Sequence, residues 1–262
     1  MSPAISTPPR RPRGERGAFR RYLALLEGLA GAPPDISTFE LARRSGLAQS
    51  TAYRLLHELI ELGVLVRDRL SGRYVLSFRM WQLFERFDWR QTLVAAAMPV
   101  MQQLRDDLGE TVLLTTYVGH EQHCVAQIPG RAATHVTLSF PRTQRLDAGA
   151  AGKLILAFLP ELSREAFLER LAETDGPERA QALRHIADAL RSSGYVAGPV
   201  DDLPEFTSLA VPVMGPAAAI AVLELVGPSS RWTPDAAVVA LPRLRTAADD
   251  IAQALGLSRT AT

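Results

Sequence analysis

Lysine is almost missing from this chain. Lys153 is the only one, so arginine supplies the other 28 of its 29 basic side chains. Arginine stays charged in every environment and offers a flat fork of donors suited to phosphate and carboxylate. Lys153 has two readings, a pair with a carboxylate near a helix start or an anion contact at the mouth of a pocket. Cysteine is nearly absent too. Cys124 stands alone, which rules out an intrachain disulfide and, by itself, a thiolate metal cluster. A small buried residue is its expected role. No apolar run approaches the roughly 18 residues of a membrane span, and the arginines and prolines at the start of the chain accompany no secretory apolar segment. A cytoplasmic protein without a membrane partner is expected.

Catalytic signatures are missing as well. There is no G-x-S-x-G elbow, no H-E-x-x-H helix and no dinucleotide-binding glycine pattern. Gly149 to Lys153 lacks the first glycine of a phosphate loop, and Leu154 stands where a magnesium-binding hydroxyl is required. His120, His123 and Cys124 spell H-x-x-H-C, but a metal needs further donors and no fourth is evident. No catalytic residue, cofactor or metal site is therefore assigned. His123 and Gln127 are instead expected as peripheral contacts to a small ligand.

What is present is a chain of 262 residues, 47% hydrophobic, long enough for two domains with real cores. Its net charge of +1 conceals an asymmetry. Residues 1–80 hold 13 arginines against 7 acids, and the remainder holds 16 basic residues against 21 acids. Local positive charge of this kind attracts nucleic acid through counterion release.

The basic part also carries the clearest pattern. Ala52, Leu55, Leu56, Leu59 and Ile60 fall at i, i+3, i+4, i+7 and i+8, one stripe of a helix. The other face opens with Gln49, Ser50, Thr51, Tyr53 and Arg54, and no acid occurs between Gln49 and His57. Such side chains read base edges or phosphates from the start of a helix in the major groove. Thr38 to Arg44 supplies a preceding helix ending in Arg43 and Arg44, and Ser45-Gly46-Leu47 the tight turn. Val64 to Arg67 and Arg73 to Leu76 form a small hairpin whose Arg67, Arg69 and Arg73 point to phosphates beside the groove. The spacing predicts a winged helix-turn-helix and double-stranded DNA as partner.

A first helix is expected over 19–30, with Phe19, Tyr22, Leu23, Leu26 and Leu29 on one face. Ahead of it, Arg10, Arg11, Arg13 and Arg16 belong to a disordered tail. Phe78 to Phe87, rich in Trp81, Leu83 and Phe84, reads as a helix that buries against a second subunit. Arg90 to Leu108 reads as a connecting helix with a kink or restart at Pro99. Beyond Glu110 the period becomes strand-like, with strands at 111–118 and 123–128 and a third at 135–140. Helices at 150–159, 163–172 and 178–193 follow, then strands at 208–214 and 218–226. A last helix starts at Thr233-Pro234. The order indicates an α+β domain with an antiparallel sheet.

From about Phe19 to Gly256 the chain resembles IclR-type transcriptional regulators. The resemblance rests on Leu41-Ala42, Gly46-Leu47, Ser50 to Leu56, Leu62-Gly63 and Tyr74-Val75-Leu76 in the first domain. In the second it rests on Gly109 to Val112, Ala148 to Ala157, Arg191 to Tyr195, Ala210 to Val213 and Gly227-Pro228. It implies a homodimer, or a tetramer, that binds a palindromic or repeated operator. It also implies a GAF-like C-terminal domain taking a small effector, an organic acid or a related metabolite. The implied limits are a basic tail over 1–17, the winged helix-turn-helix over 18–78, linker and dimerisation helices over 79–108, the GAF-like domain over 109–257 and a tail over 258–262. Carried over by motif, the effector would meet Ala150, Ala151, Ser208, Glu224 and Val226.

Two departures stand out. Ala197-Gly198-Pro199 replaces acids common in relatives, and Glu224 and Val226 replace serines. A buried Glu224 opposes a carboxylate ligand unless protonated or paired. Either the effector is cationic or hydroxyl-rich, or Arg142, Arg145 or Lys153 pairs with Glu224, or the strand turns it outward. The rival functional reading is a C-terminal enzyme or ligand-free dimerising module beside a degenerate helix-turn-helix.

Overall fold

The computed structural model describes residues 13–29, 32, 36–68, 72–85, 88–137, 142–201 and 203–257. The chain divides into two compact units, Met1–Phe87 and Asp88–Thr262. The architecture is α+β.

The first unit contains α1 (Arg13–Leu29), α2 (Thr38–Arg44), α3 (Gln49–Glu61), a hairpin of β1 (Leu65–Arg67) and β2 (Tyr74–Leu76), and α4 (Phe78–Glu85). Leu25, Leu41, Ala42, Ala52, Leu55, Leu56, Leu59 and Leu65 form its core. Ser37 caps α2 by accepting from the Glu40 amide, and Gly46 takes the left-handed backbone at φ 63° that the tight turn requires. Helix α1 begins at Arg13, inside the stretch expected as a disordered tail, while Arg10 and Arg11 lie outside the described residues. Its buried stripe also differs from expectation. Leu25 is fully buried with Tyr22, Leu26 and Leu29 packed beside it, whereas Phe19 and Leu23 are exposed. The stripe thus centres on Leu25 at i, i+3, i+4 and i+7 from Tyr22. Ser77 starts α4 by accepting from the Met80 amide. Phe78 and Leu83 on that helix are exposed, and the side chains of Trp81 and Phe84, with all of Phe87, lie outside the description.

The second unit opens with α5 (Trp89–Leu108), capped by Asp88 and closed by Gly109 at φ 77°. The helix is continuous through Pro99, so of the expected kink or restart the restart does not occur. A six-stranded antiparallel sheet follows, in the order β5-β4-β3-β8-β7-β6. Its strands are β3 (Thr111–Val118), β4 (Glu121–Ile128), β5 (Arg142–Arg145), β6 (Val196–Val200), β7 (Leu203–Met214) and β8 (Ala219–Pro228). The third strand expected at 135–140 is displaced. Residues 135–137 are irregular, 138–141 lie outside the description, and the pairing partner of β4 is β5.

Helices cover both faces. Leu209, Val211, Val213, Leu223 and Leu225 face α5 and the last helix, α9 (Pro234–Ala254). Ala210 and Val222, one residue out of phase, face α6 (Gly149–Ala157), α7 (Glu161–Asp175) and α8 (Pro177–Ser193). Strict alternation therefore assigns Ser208, Glu224 and Val226 to the α6 face. Thr233 caps α9 by accepting from the Ala236 amide, with Pro234 in its first turn.

Strand β4 breaks that alternation. Ala126 pairs with Leu114 but Cys124 pairs with Thr115, leaving Val125 as an extra residue. Such a bulge reverses the face of every side chain on one side of it. Gln122 and Cys124 consequently share a face with Leu113 and Glu224, while Ala126 and Ile128 join the α5 and α9 layer.

Candidate functional site

In the first unit, burial of Ala52, Leu55, Leu56 and Leu59 leaves Gln49, Ser50, Tyr53, Arg54 and His57 exposed along α3, with Thr51 half-buried. Ala48 precedes the helix and gives no side-chain cap, so the first-turn amides are not satisfied in the usual way. Tyr53 and His57 act as one exposed unit, their rings 4.9 Å apart and the tyrosine oxygen 3.2 Å from Nε2. Arg54 is held by Glu58 at 2.5 Å, and Glu58 also accepts from the Tyr22 hydroxyl of α1. The hydrogen bond from Tyr22, followed by the charge of Arg54, keeps the Glu58 carboxyl below its ordinary range. Arg43 is similarly engaged, donating to both oxygens of Glu40 at 3.0 and 2.7 Å.

In the hairpin, the Arg67 Nε donates to the Gly72 carbonyl at 3.1 Å and its guanidinium lies 5.7 Å from the Tyr74 ring centre. Arg44 and Arg73 are exposed, and Arg69 lies outside the described residues. The exposed face of α3 and the arginines of α2 and the hairpin thus offer donors to an anionic, groove-bearing partner. Of the two carboxylates that tether Arg43 and Arg54, Glu58 lies just outside the acid-free run that drew attention to this face and Glu40 lies on the preceding helix.

In the second unit, the α6 face of the sheet lines a partly open cavity of about 80 Å³. Leu113, Val136, Phe206 and Val226 give it apolar walls, and Ala150 and Ala151 close it from α6. Its polar groups are Thr115, Gln122, Arg142, Gln144, Ser208 and Glu224. Gly152 lets α6 approach this closely, because a Cβ there would lie 2.6 Å from Gln122 Nε2 and 2.7 Å from the Leu146 carbonyl oxygen. Gln122 in turn donates to the carbonyls of Arg145 and Ala148, at 3.0 and 2.6 Å, and fixes the entry to α6. Asp201 closes that entry from the other side. One of its oxygens accepts from the Gly149 amide at 3.1 Å and from Lys153 Nζ at 2.6 Å. Lys153 thereby takes the paired role of its two readings.

Glu224 faces the cavity and is 9% exposed. Burial pushes its carboxyl up to about 7, against the opposing pull of a Ser208 hydrogen bond and the charge of Arg142. Arg145 is committed to Asp147 and Asp175 at 3.0 and 2.5 Å. Of the three cations considered for Glu224, only Arg142 acts on it. The Cys124 thiol, on the same wall, is pushed up to about 11 by burial, then by the nearby Glu224.

Five of the residues carried over by motif, Ala150, Ala151, Ser208, Glu224 and Val226, therefore meet around one space. His123 and Gln127 do not line it. His123 sits between two cavity-facing residues and points to the opposite side, near Thr143 at 3.0 Å. The bulge returns Gln127 to the same side as Leu113 by register, but outside the lining. His123 and Cys124 thus alternate apart, and among the described residues no group of three His, Cys, Asp or Glu is placed to hold a metal. The sequence reading missed Thr115, Gln122, Cys124, Gln144 and Phe206 as lining residues and had Arg142 only as a candidate partner of Glu224.

Two family models match the chain. The IclR helix-turn-helix domain covers residues 18–69, and the bacterial transcriptional regulator IclR C-terminal domain covers residues 89–253. The chain belongs to the IclR family. Like other members it is a transcriptional regulator with an N-terminal DNA-binding and a C-terminal ligand-binding domain. Among curated IclR relatives, the HTH-type regulator KipR of Bacillus subtilis is 26% identical over 232 residues, 85% of this chain and 91% of KipR. A protein from Rhodococcus sp. described as an IclR-family regulator is 28% identical, with a TM-score of 0.59 over 97% of this chain and 100% of its own. An IclR homologue of Microbacterium hydrocarbonoxydans, solved with 4-hydroxybenzoate, is 25% identical, with a TM-score of 0.54 over 92% of this chain and 99% of its own.

Proposed function

We infer that this regulator binds an operator through α3 and the β1–β2 hairpin, and that a small metabolite in the C-terminal cavity sets its affinity for that site. Arg43, Arg44, Arg67, Arg69 and Arg73 would hold phosphates, and Gln49, Ser50, Thr51, Tyr53 and Arg54 would meet base edges or the adjoining backbone. The protein acts as a homodimer on palindromic or repeated half-sites, with the apolar side chains of α4, such as Phe78 and Leu83, joining copies. The observation that carries the reading is the partly open cavity bounded by the Ala150–Ala151 end of α6 and by Ser208, Glu224 and Val226, in a chain whose other unit exposes a donor-rich helix face. A ligand regulates only by binding the DNA-competent and incompetent states differently.

The test is selection of genomic fragments by the purified protein at moderate salt, beside the Gln49→Ala, Arg54→Ala double variant, followed by titration of metabolites on the selected DNA. The 4-hydroxybenzoate bound by the Microbacterium hydrocarbonoxydans homologue is one probe of the small carboxylate class. A symmetric site lost by the variant, and weakened or strengthened by a compound that the cavity binds, supports the reading. Equal retention of all sequences by both proteins overturns it.

A further inference from the structure

The cavity wall carries one group of each charge, and among the described residues neither meets an opposite charge at ion-pair distance. Glu224 is buried and has no cation within ion-pair distance among the described residues, only the Ser208 hydroxyl and the more distant charge of Arg142. Arg142 lines the same space and has no carboxylate partner among the described residues. The neighbouring cations are spoken for, Lys153 by Asp201 and Arg145 by Asp147 and Asp175. Arg142 lies on β5 and Glu224 on β8, with β4 and β3 between them. Three strand spacings separate their backbones by roughly 14 Å, a span that two inward-leaning side chains reduce to the length of a small molecule.

A buried carboxylate whose only close partner is a neutral hydroxyl calls for a further donor, preferably a charged one. A plain carboxylate ligand would satisfy Arg142 yet set a like charge against Glu224, and so would enter only with an extra proton. A plain amine would satisfy Glu224 and oppose Arg142. One class answers both walls at once. We propose that the cavity selects a small zwitterion, an amino acid or close analogue, with its cationic nitrogen against Glu224 and its carboxylate against Arg142. This rests on the reading of the cavity as the effector site. The remaining walls suit such a ligand, since Leu113, Val136, Phe206 and Val226 take a short apolar side chain. The Cys124 thiol stays protonated and adds no charge.

The groups facing Glu224 are Arg142 from β5, Cys124 from β4 and Ser208 from β7, and only Glu224 itself titrates near neutrality. A cationic nitrogen stabilises the ionised carboxylate. Zwitterion binding therefore releases protons near pH 7 and tightens from pH 6 to pH 8. A plain carboxylate takes protons up and loosens over the same interval.

The experiment is calorimetry on the full chain with the standard α-amino acids, β-alanine and γ-aminobutyrate, each beside its deaminated carboxylate and decarboxylated amine, in buffers of different ionisation enthalpy. At least one zwitterion is expected to bind about tenfold or more tightly than both of its truncated counterparts, with proton release. Glu224→Gln should remove that preference and the proton release, and Arg142→Gln should weaken the zwitterion and the deaminated acid alike. Proton release in the unaltered protein stands even if a variant misfolds. Tighter binding of deaminated acids with proton uptake, or no binding of any zwitterion, overturns the proposal and leaves the regulator reading intact. Conversely, a bound zwitterion that leaves operator affinity unchanged overturns effector control while the cavity assignment stands.

Discussion

Glu110 and Arg231, 121 positions apart, form a two-pronged ion pair with Nε–Oε1 at 2.7 Å and Nη2–Oε2 at 2.9 Å. The same arginine donates to the Thr134 carbonyl at 2.8 Å. It thus ties the start of β3 to the segment that ends in Val136, which is itself held by the Thr111 hydroxyl at 2.7 Å and lines the cavity.

Arg231→Ala should therefore destabilise the second unit and loosen the Val136 wall together. Glu110 is 5% exposed, but the arginine side chain is 37% exposed. The cost should fall between those of surface and buried pairs, about 2 kcal/mol. Urea unfolding monitored at Trp232 measures the first effect, and hydrogen exchange over residues 130–137 the second.

Gly152→Ala should cost about 1–3 kcal/mol by overpacking. One of the atoms its Cβ would meet is the backbone oxygen of Leu146, which cannot rotate aside. The shift of α6 should also weaken any cavity ligand. Thermal unfolding of apo and ligand-saturated protein separates the two losses.

Stability of the ligand-free protein should fall as pH rises across Glu224. Its carboxyl moves from an ordinary 4.5 to about 7 on folding, so between those values the folded chain holds the extra proton. The contribution is fully present below the unfolded value and lost as pH climbs through the folded one, on the order of 3 kcal/mol in all. Glu224→Gln should flatten this slope, gaining on the parent most at pH 8. Parallel denaturation curves at pH 5, 6.5 and 8 check it.

Glu58→Gln should tighten DNA binding at low salt. The amide retains an acceptor for Tyr22 while freeing Arg54 and removing a negative charge beside the exposed face of α3. Arg67→Ala should instead weaken all sequences alike and make the salt slope shallower by about one unit if it holds one phosphate. Fluorescence anisotropy on the selected operator across a salt series distinguishes them.

The parts of the fold legible in the sequence were those with a strong period or a strong stop. The Ala52–Ile60 stripe, the Gly46 turn and the Thr233-Pro234 start all mark elements the structure contains. Strands β5 and β6 were not legible. Both lie at the edges of the sheet, where Arg142–Arg145 is wholly polar and Val196–Val200 includes Gly198 and Pro199, residues that edges tolerate and sequence patterns read as breaks. Losing β5 hid Gln144 as a cavity residue and left Arg142 as one of three candidate cations for Glu224. Glu224 was legible as a departure but not as a facing, because a two-sided strand such as Val222 to Val226 is apolar on both sides of the carboxylate.

The unpaired Val125 gives β4 a division of labour. Upstream of it the even-numbered positions, Gln122 and Cys124, address the small-molecule side; downstream the even-numbered positions, Ala126 and Ile128, address the helical layer. The two halves of one strand are thereby uncoupled as mutational targets. Ligand preference can drift at the first pair without repacking the second, and deleting Val125 would pair Cys124 and Ala126 as consecutive residues with Thr115 and Leu114, regularising the strand while each half keeps its own side.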